Sequence, residues 1–385
     1  MTTVPKPRPI SPNAKIAIIL PRQLGDVILG TTLISSLKAH FPNCRIAWVA
    51  HAMAASVLEG NPGIEQIIYL PQGKRAYIAK TKGLTGKIEK AFGQSKAELA
   101  TVRQLQKFAP DIVIDAINNP RTSILAALSG ASRRISFRTR FSRNIAFTEL
   151  INRKLLSGDY MGRSRLALLA PLGINDAQLA IVPPLHIPRT QADVQKIDSL
   201  ISQHFGSTPL KAINIFVHSR QPTRRWPLDN YLQVAMHFSI ERGLQIIWFW
   251  GPGEDTIVKP LHEKLLAELV SRGLDPSLSW FPPLLSIRES AELSARSLCW
   301  VGSTSGLAHV AVAANCKTVE LHGPTSHIPW THPDTTMHRA VTKGSGCMGC
   351  ERNACKLARH ECMEDIGVAT VIEQIESLIF SEGKA

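Results

Sequence analysis

The stretch PRQLGDVILG (21–30) sets Asp26 directly after Gly25, where a short apolar run gives way to a helical pattern. In open α/β sheets the carboxyl ends of strands are where ligands bind. An aspartate at that place either caps the helix that follows or meets the ligand as a general base, and position alone leaves both open. A second candidate is VGSTSGLAHVAVAANC (301–316), a strand, a small-residue turn and a helix opening near Ser305. Free N–H groups at such a start, with the helix dipole, suit a diphosphate; an ordinary strand-to-helix turn is the competing reading. His309 falls in the first turn or so, to touch phosphate or merely to pack. In VHSRQPTRRWPLDNY (217–231), Ser219, Thr223, Arg224 and Arg225 follow another apolar run. Donors and positive charge converge there as a leaving diphosphate requires, unless the loop is simply a solvated basic one. WFWGPGEDT (248–256) ends on a Gly-Pro-Gly turn and Glu254, an acceptor for sugar or ribose hydroxyls or a helix cap. Finally, Cys347, Cys350, Cys355 and Cys362, with His360 beside them, fall within GCMGCERNACKLARHEC (346–362). That spacing reads either as a zinc or iron–sulfur site or as reduced thiols in a loop. Cys44, Cys299 and Cys316 read as core residues.

The elements that must carry these residues are legible as alternation. KIAIIL (15–20), RIAWVA (45–50), IEQIIYL (64–70), DIVIDA (111–116) and RISF (134–137) are short, β-branched runs. TTLISSLKAHFP (31–42), between the first two, reads as an amphipathic helix stopped by Pro42. This is the rhythm of a parallel sheet covered by helices. After residue 181 VPPLHIPRTQ is rich in proline and without period, hence a linker. Then AINIFVH (212–218), QIIWFWG (245–251), LCWVGS (298–303) and KTVELHG (317–323) form a second strand series, with helical patterns over 229–242, 256–272 and 286–295. The reading is two Rossmann-like domains in tandem: 1–182, a linker over 183–193, then 194–368. A closing helix over 369–385 is expected to pack back on the first domain.

At 385 residues the length fits two domains of about 150 residues each. No apolar run reaches the roughly 20 residues that span a bilayer, and the first fifteen residues lack the apolar middle of a signal peptide; a cytoplasmic location is expected. The formal net charge of +14 favours an anionic partner. Much of it is local. Lys74, Arg75, Lys80, Lys82, Lys87, Lys90 and Lys96 fall within 73–99, and five arginines within 133–143. A solvated face is the plain alternative. No nucleic-acid-binding motif accompanies them, so nucleic acid is not an expected partner. A G-x-G-x-x-G after the first strand is lacking, against a dinucleotide-dependent oxidoreductase. A non-catalytic nucleotide-sugar or glycolipid-binding protein would have no need of Asp26.

The LGD turn, the RRWP loop, the SGLAH helix start and the HGPT strand end (322–325), in this order and spacing, resemble the heptosyltransferases of glycosyltransferase family 9 along nearly the whole chain. The resemblance implies a GT-B fold, two Rossmann-like domains facing a central cleft, with acceptor on the first domain and an ADP-heptose-like donor on the second. It implies that Asp26 is the catalytic base of an inverting transfer of heptose to the lipopolysaccharide inner core, at the inner membrane face. Arg224 stands where the family usually has a phosphate-binding lysine. Ser305, Gly306, Leu307 and His309 match the phosphate-binding helix start, and Glu254 an acidic residue near the nucleoside. Lys74, Arg75, Arg138 and Arg140 are expected to meet the anionic acceptor. Thr304 departs from the Asp common at its position, which puts the donor sugar in question. No Asp-x-Asp motif is present, in keeping with transfer that requires no metal cofactor.

Overall fold

A computed structural model describes residues 8–71, 84–152, 158–343 and 346–380, of which 84–95 are described by backbone alone. Lys74, Arg75, Lys80 and Lys82 therefore lie outside the described residues, as do the side chains of Lys87 and Lys90. The chain divides into two compact units, Met1–Pro188 and Arg189–Ala385.

The first unit is built on strands β1 (Lys15–Ile19), β2 (Arg45–Ala50), β3 (Gln66–Tyr69), β4 (Ile112–Asp115), β5 (Arg133–Phe137) and β6 (Glu149–Ile151). They lie in the order β3-β2-β1-β4-β5-β6, all parallel. The second repeats the plan with β7 (Ala212–Phe216), β8 (Gln245–Phe249), β9 (Ser279–Trp280), β10 (Cys299–Ser303), β11 (Lys317–His322) and β12 (His338–Thr342), ordered β12-β11-β10-β7-β8-β9. Both orders are the doubly wound Rossmann pattern, with a switch point between β1 and β4 and between β7 and β10. Parallel strands covered on both faces must be apolar throughout; β7, β8 and β10 are buried at every position. The short outer strands β6, β9 and β12 carry too little apolar pattern to stand out in sequence.

Three expectations are corrected. The first helix spans Leu24–His40, not a segment starting near residue 31, and Val27 to Ile34 are all buried: Gly30 lies close against the Trp48 ring of β2 and Leu20, and the Met161–Leu166 helix packs on the helix as well. It is thus not amphipathic. The segment expected as a linker packs into the first unit: Leu185 and Ile187 are each 5% exposed, and the His186 N–H donates to Thr31 Oγ1 at 3.0 Å. Residues 191–193 of that segment already belong to the Gln191–Phe205 helix. The closing helix, Val368–Ile379, packs in the second unit against β10, β11 and β12. Its buried Val371, Ile375 and Leu378 form one face, and that face completes the second core.

Gly302 of β10 faces the Phe216 carbonyl of β7, which a Cβ would meet at 2.5 Å, with the Trp300 ring at 2.9 Å. Gly302→Ala should therefore cost about 1–3 kcal/mol, seen as a lower urea midpoint with an unchanged m-value; an unchanged midpoint would show that the strands yield freely.

Candidate functional site

In the first unit, β1 delivers the chain into the Leu24–His40 helix. The N-cap residue is Gln23, whose side chain makes no capping bond, and Asp26 is the third residue of the first turn. Asp26 is therefore not the N-cap. Its carboxylate is held from two sides: Arg165 Nη2 donates to Oδ1 at 2.6 Å and Arg22 Nε lies 3.3 Å from Oδ2. Arg165 also donates through Nη1 to the Asp26 carbonyl at 2.6 Å. The Arg165 side chain is 4% exposed and that of Asp26 12%, so this is a nearly buried, charge-assisted clamp with a small opening to solvent. Sequence reading missed Arg165, which lies 139 residues from its partner with nothing local to mark it.

At the end of β4, buried Asp115 turns the chain by accepting from the Ile117 N–H at 2.9 Å and the Asn118 N–H at 3.1 Å. Burial pushes its carboxyl up to about 6. Beyond it, Asn118 adopts φ 55° and donates to the Phe137 carbonyl at 2.7 Å. Arg138 and Arg140 follow β5 and are exposed.

In the second unit the candidate residues gather on loops after β7, β8, β10 and β11. After β7, Ser219 and Thr223 are buried, and Thr223 Oγ1 donates to the Arg352 carbonyl at 2.8 Å. Arg224 reaches Glu351 Oε2 at 3.2 Å; burial pulls its guanidinium down from its ordinary value, which Glu351 opposes. Arg225 Nε donates to the Ser219 carbonyl at 2.8 Å. Trp226, 1% exposed, anchors the loop. Its Nε1 donates to the Ile366 carbonyl at 3.0 Å and its ring meets Tyr231 edge-on at 4.8 Å. After β8, Glu254 occupies the N-cap position of the Asp255–Ser271 helix without capping it. Its Oε2 instead accepts from the Gly251 N–H at 2.8 Å, and Oε1 lies 3.5 Å from His218 Nε2. Burial pulls the His218 imidazole down against that carboxylate's pull.

After β10, Ser305 is the N-cap of the Gly306–Ala313 helix and accepts from the Ala308 N–H at 3.4 Å. The Gly306 and Leu307 N–H groups fall where a helix offers no internal acceptor. His309 is buried, its ring 6.2 Å from that of Trp330. Thr304 bonds His322, the last residue of β11, through Oγ1 at 2.8 Å from Nδ1. His322 Nε2 lies 2.9 Å from Thr331 Oγ1 and 3.7 Å from fully buried Glu320. Behind them, burial, then His332, pulls His338 down to about 4. The Thr304–His322 pairing was not foreseen, although both residues stood in quoted motifs.

The loop of Cys347, Cys350, Cys355 and Cys362, whose spacing left a metal site and reduced thiols both open, brings three of these sulfurs within electrostatic reach of the fourth. Cys362 is buried in the core, Cys350 is exposed, and Cys355 Sγ turns to the Arg359 carbonyl at 3.7 Å. Burial and then the other three sulfurs push the Cys362 thiol up. Among the described residues, however, no three His, Cys, Asp or Glu side chains come together to hold an ion. The loop instead straps the second unit's site: the Glu351 N–H donates to the Pro324 carbonyl at 2.8 Å while its side chain holds Arg224.

Two Rossmann-type units, with a free helix start and a basic loop at the carboxyl ends of the second unit's strands, are the components of a GT-B fold. The model of glycosyltransferase family 9 (heptosyltransferase) matches residues 99–361, and the chain belongs to that family. It is 25% identical to lipopolysaccharide heptosyltransferase 2 of Salmonella typhimurium, over 96% of this chain and 99% of that one. Among solved structures it resembles a family 9 glycosyl transferase from Veillonella parvula, with TM-score 0.74, 20% identity and 96% and 98% of the two chains covered. It also resembles the E. coli ADP-heptose lipopolysaccharide heptosyltransferase II, with TM-score 0.69, 20% identity and 96% and 100% covered.

Asp115 gives a pH test. Its folded value, about 6, lies above the ordinary 3.8, so the stability tied to its protonated form is present at low pH and lost as pH rises through that window, to about 3 kcal/mol. Asp115→Asn keeps the Oδ1 acceptor and should lack this loss. Urea unfolding of both proteins at acid and neutral pH checks it; parallel curves would refute the assignment.

Proposed function

We propose that the chain is an inverting heptosyltransferase that transfers heptose from ADP-heptose to the lipopolysaccharide inner core, with the first unit supplying the base and the second holding the donor. The observation that carries this reading is the match, over nearly all of both chains, to lipopolysaccharide heptosyltransferase 2, with Asp26 at the helix start after β1. Asp26 takes the proton of an acceptor hydroxyl. The freed oxygen pair forms the new glycosidic bond to the anomeric carbon from the face opposite the diphosphate. The bond from that carbon to the diphosphate breaks, its electron pair leaves with ADP, and the proton passes from Asp26 to solvent. Arg165 is the positioning residue, since its two donors fix both the backbone and the carboxylate of Asp26.

The departing charge is met by the Gly306 and Leu307 N–H groups, the dipole of their helix and Arg224. Ser219 and Thr223 shape that loop, His309 backs the helix, and Glu254 serves the nucleoside hydroxyls. Arg138 and Arg140, with Lys74 and Arg75, meet the phosphates and acidic sugars of the acceptor. No step calls for a metal cofactor. No described helix is long and apolar enough to cross a membrane. The reading places the enzyme in the cytoplasm, at the inner membrane face, where its lipid-anchored acceptor lies.

A second reading keeps the family and changes the donor sugar. Thr304 favours it, because a hydroxyl tied to His322 cannot offer a sugar the paired acceptor oxygens of a carboxylate.

Asp26→Asn should lower kcat for transfer from ADP-heptose to a truncated lipopolysaccharide by about 10²–10⁴-fold while leaving donor affinity within a few-fold; retained transfer would remove Asp26 from the mechanism. Thr304→Asp should move the ratio of kcat/KM between ADP-heptose and other nucleotide sugars, and an unmoved ratio would count against the second reading.

A further inference from the structure

Between Asp115 and Glu149 the chain carries six arginines, Arg121, Arg133, Arg134, Arg138, Arg140 and Arg143, and not one acidic residue. The same stretch holds four exposed large apolar side chains: Phe141 at 84%, Ile145 at 73%, Ile124 at 59% and Leu128 at 49%. Ile124 and Leu128 are one turn apart on the Pro120–Leu128 helix, and Phe141 opens the neighbouring Phe141–Asn144 helix one turn before Ile145, its C-cap in helical conformation, so each pair shares a face. The two helices touch. An open cavity of about 420 Å³ lies where they meet, lined by Pro120, Ser123, Ile124, Arg140, Ser142 and Arg143.

Nothing in the fold requires these apolar groups to face water. The segment that presents them is nonetheless fixed. Asn144 Oδ1 accepts from the Thr139 N–H at 3.0 Å and from Asn118 Nδ2 at 3.3 Å, and Arg143 donates to the Asn118 carbonyl at 2.8 Å. Arg133 is committed to Glu149 and Arg134 to the carbonyls of Ala131 and Ala146. Arg138 and Arg140 remain exposed beside the apolar tip.

We infer that this α-helical corner is a membrane-docking surface, with Phe141 and Ile145 entering the headgroup boundary of an anionic bilayer and Arg138 and Arg140 pairing there with lipid phosphates, those of the lipid-linked acceptor included. An apolar tip ringed by arginines is what an interfacial anchor needs: burial of a few side chains plus attraction to anionic lipid. A soluble polyanion would engage the arginines and leave the apolar groups wet, and a second copy of the same patch would bring like charges together. The inference deepens the lipid-linked acceptor reading by naming the surface that meets the lipid. Its test reads vesicle binding directly, so either can fail alone.

The test is flotation of the full chain with phosphatidylethanolamine vesicles that do or do not contain phosphatidylglycerol. Wild type should float with the anionic vesicles and lose binding as salt rises. The Phe141→Ser/Ile145→Ser double variant should partition roughly tenfold less, with melting and transfer to a water-soluble, delipidated acceptor unchanged, since both side chains are already in water. Equal partitioning of the two proteins overturns the inference, as does a wild type that ignores phosphatidylglycerol. So does a loss of soluble-acceptor transfer in the variant, or a wild-type dimer in sedimentation velocity that the variant dissolves.

Discussion

The second unit's site depends on how closely β10 can approach β7. The loops that carry Ser219, Thr223 and Arg224 on one side and Thr304, Ser305 and Gly306 on the other leave adjacent strands at the switch point of the sheet. Their spacing is set by that pairing, Gly302 lying in register with Phe216. With no side chain at Gly302, the Phe216 carbonyl and the Trp300 ring close the gap, and the helix start after β10 is held beside the arginine loop after β7. Trp226 secures that loop from below by reaching the Ile366 carbonyl, and Tyr231 ties the helix that follows it to Ser303 at 3.1 Å. An anion site made of backbone N–H groups works only if such supports keep those groups aimed without reorganisation.

In the first unit the corresponding constraint is electrostatic. Asp26 and Arg165 are nearly out of water, and a buried charge is tolerable only when paired and hydrogen-bonded. The bidentate grip of Arg165 meets that requirement and at the same time removes rotamer freedom from the carboxylate. In the reading offered for the reaction, an acceptor hydroxyl approaches a carboxylate already in place, so little ordering is left to the moment of transfer. In the membrane-docking proposal the saving is similar, since a lipid-borne acceptor held in two dimensions would meet an enzyme already at the same interface.

The fold was legible because parallel strands covered on both faces must be apolar from end to end, and β1, β2, β4, β7, β8 and β10 announce themselves that way. The outer strands β6, β9 and β12 did not, being two to five residues long. The first helix was read too short because its face pattern vanishes when both sides are covered, and that put Asp26 outside the helix when it lies in the first turn. The closing helix was assigned to the wrong unit for a different reason: an amphipathic stripe shows that a helix packs, never on what. In the cysteine loop, spacing left a ligand set and reduced thiols both open, and only the fold shows that Cys362 is buried while Cys350 is exposed.

Sequence by itself determined the two α/β series, the four loop motifs and their order, since strand burial, turn chemistry and helix starts are local properties written in neighbouring residues. Only the tertiary structure decided what each motif leans on: Arg165 behind Asp26, Glu351 against Arg224, His322 and Glu320 behind Thr304. Those partners lie as far as 139 residues away, and a hydrogen bond or ion pair across such a distance leaves no periodic trace in the chain. It exists only once folding brings two strand ends together and the cost of burying charge selects a partner.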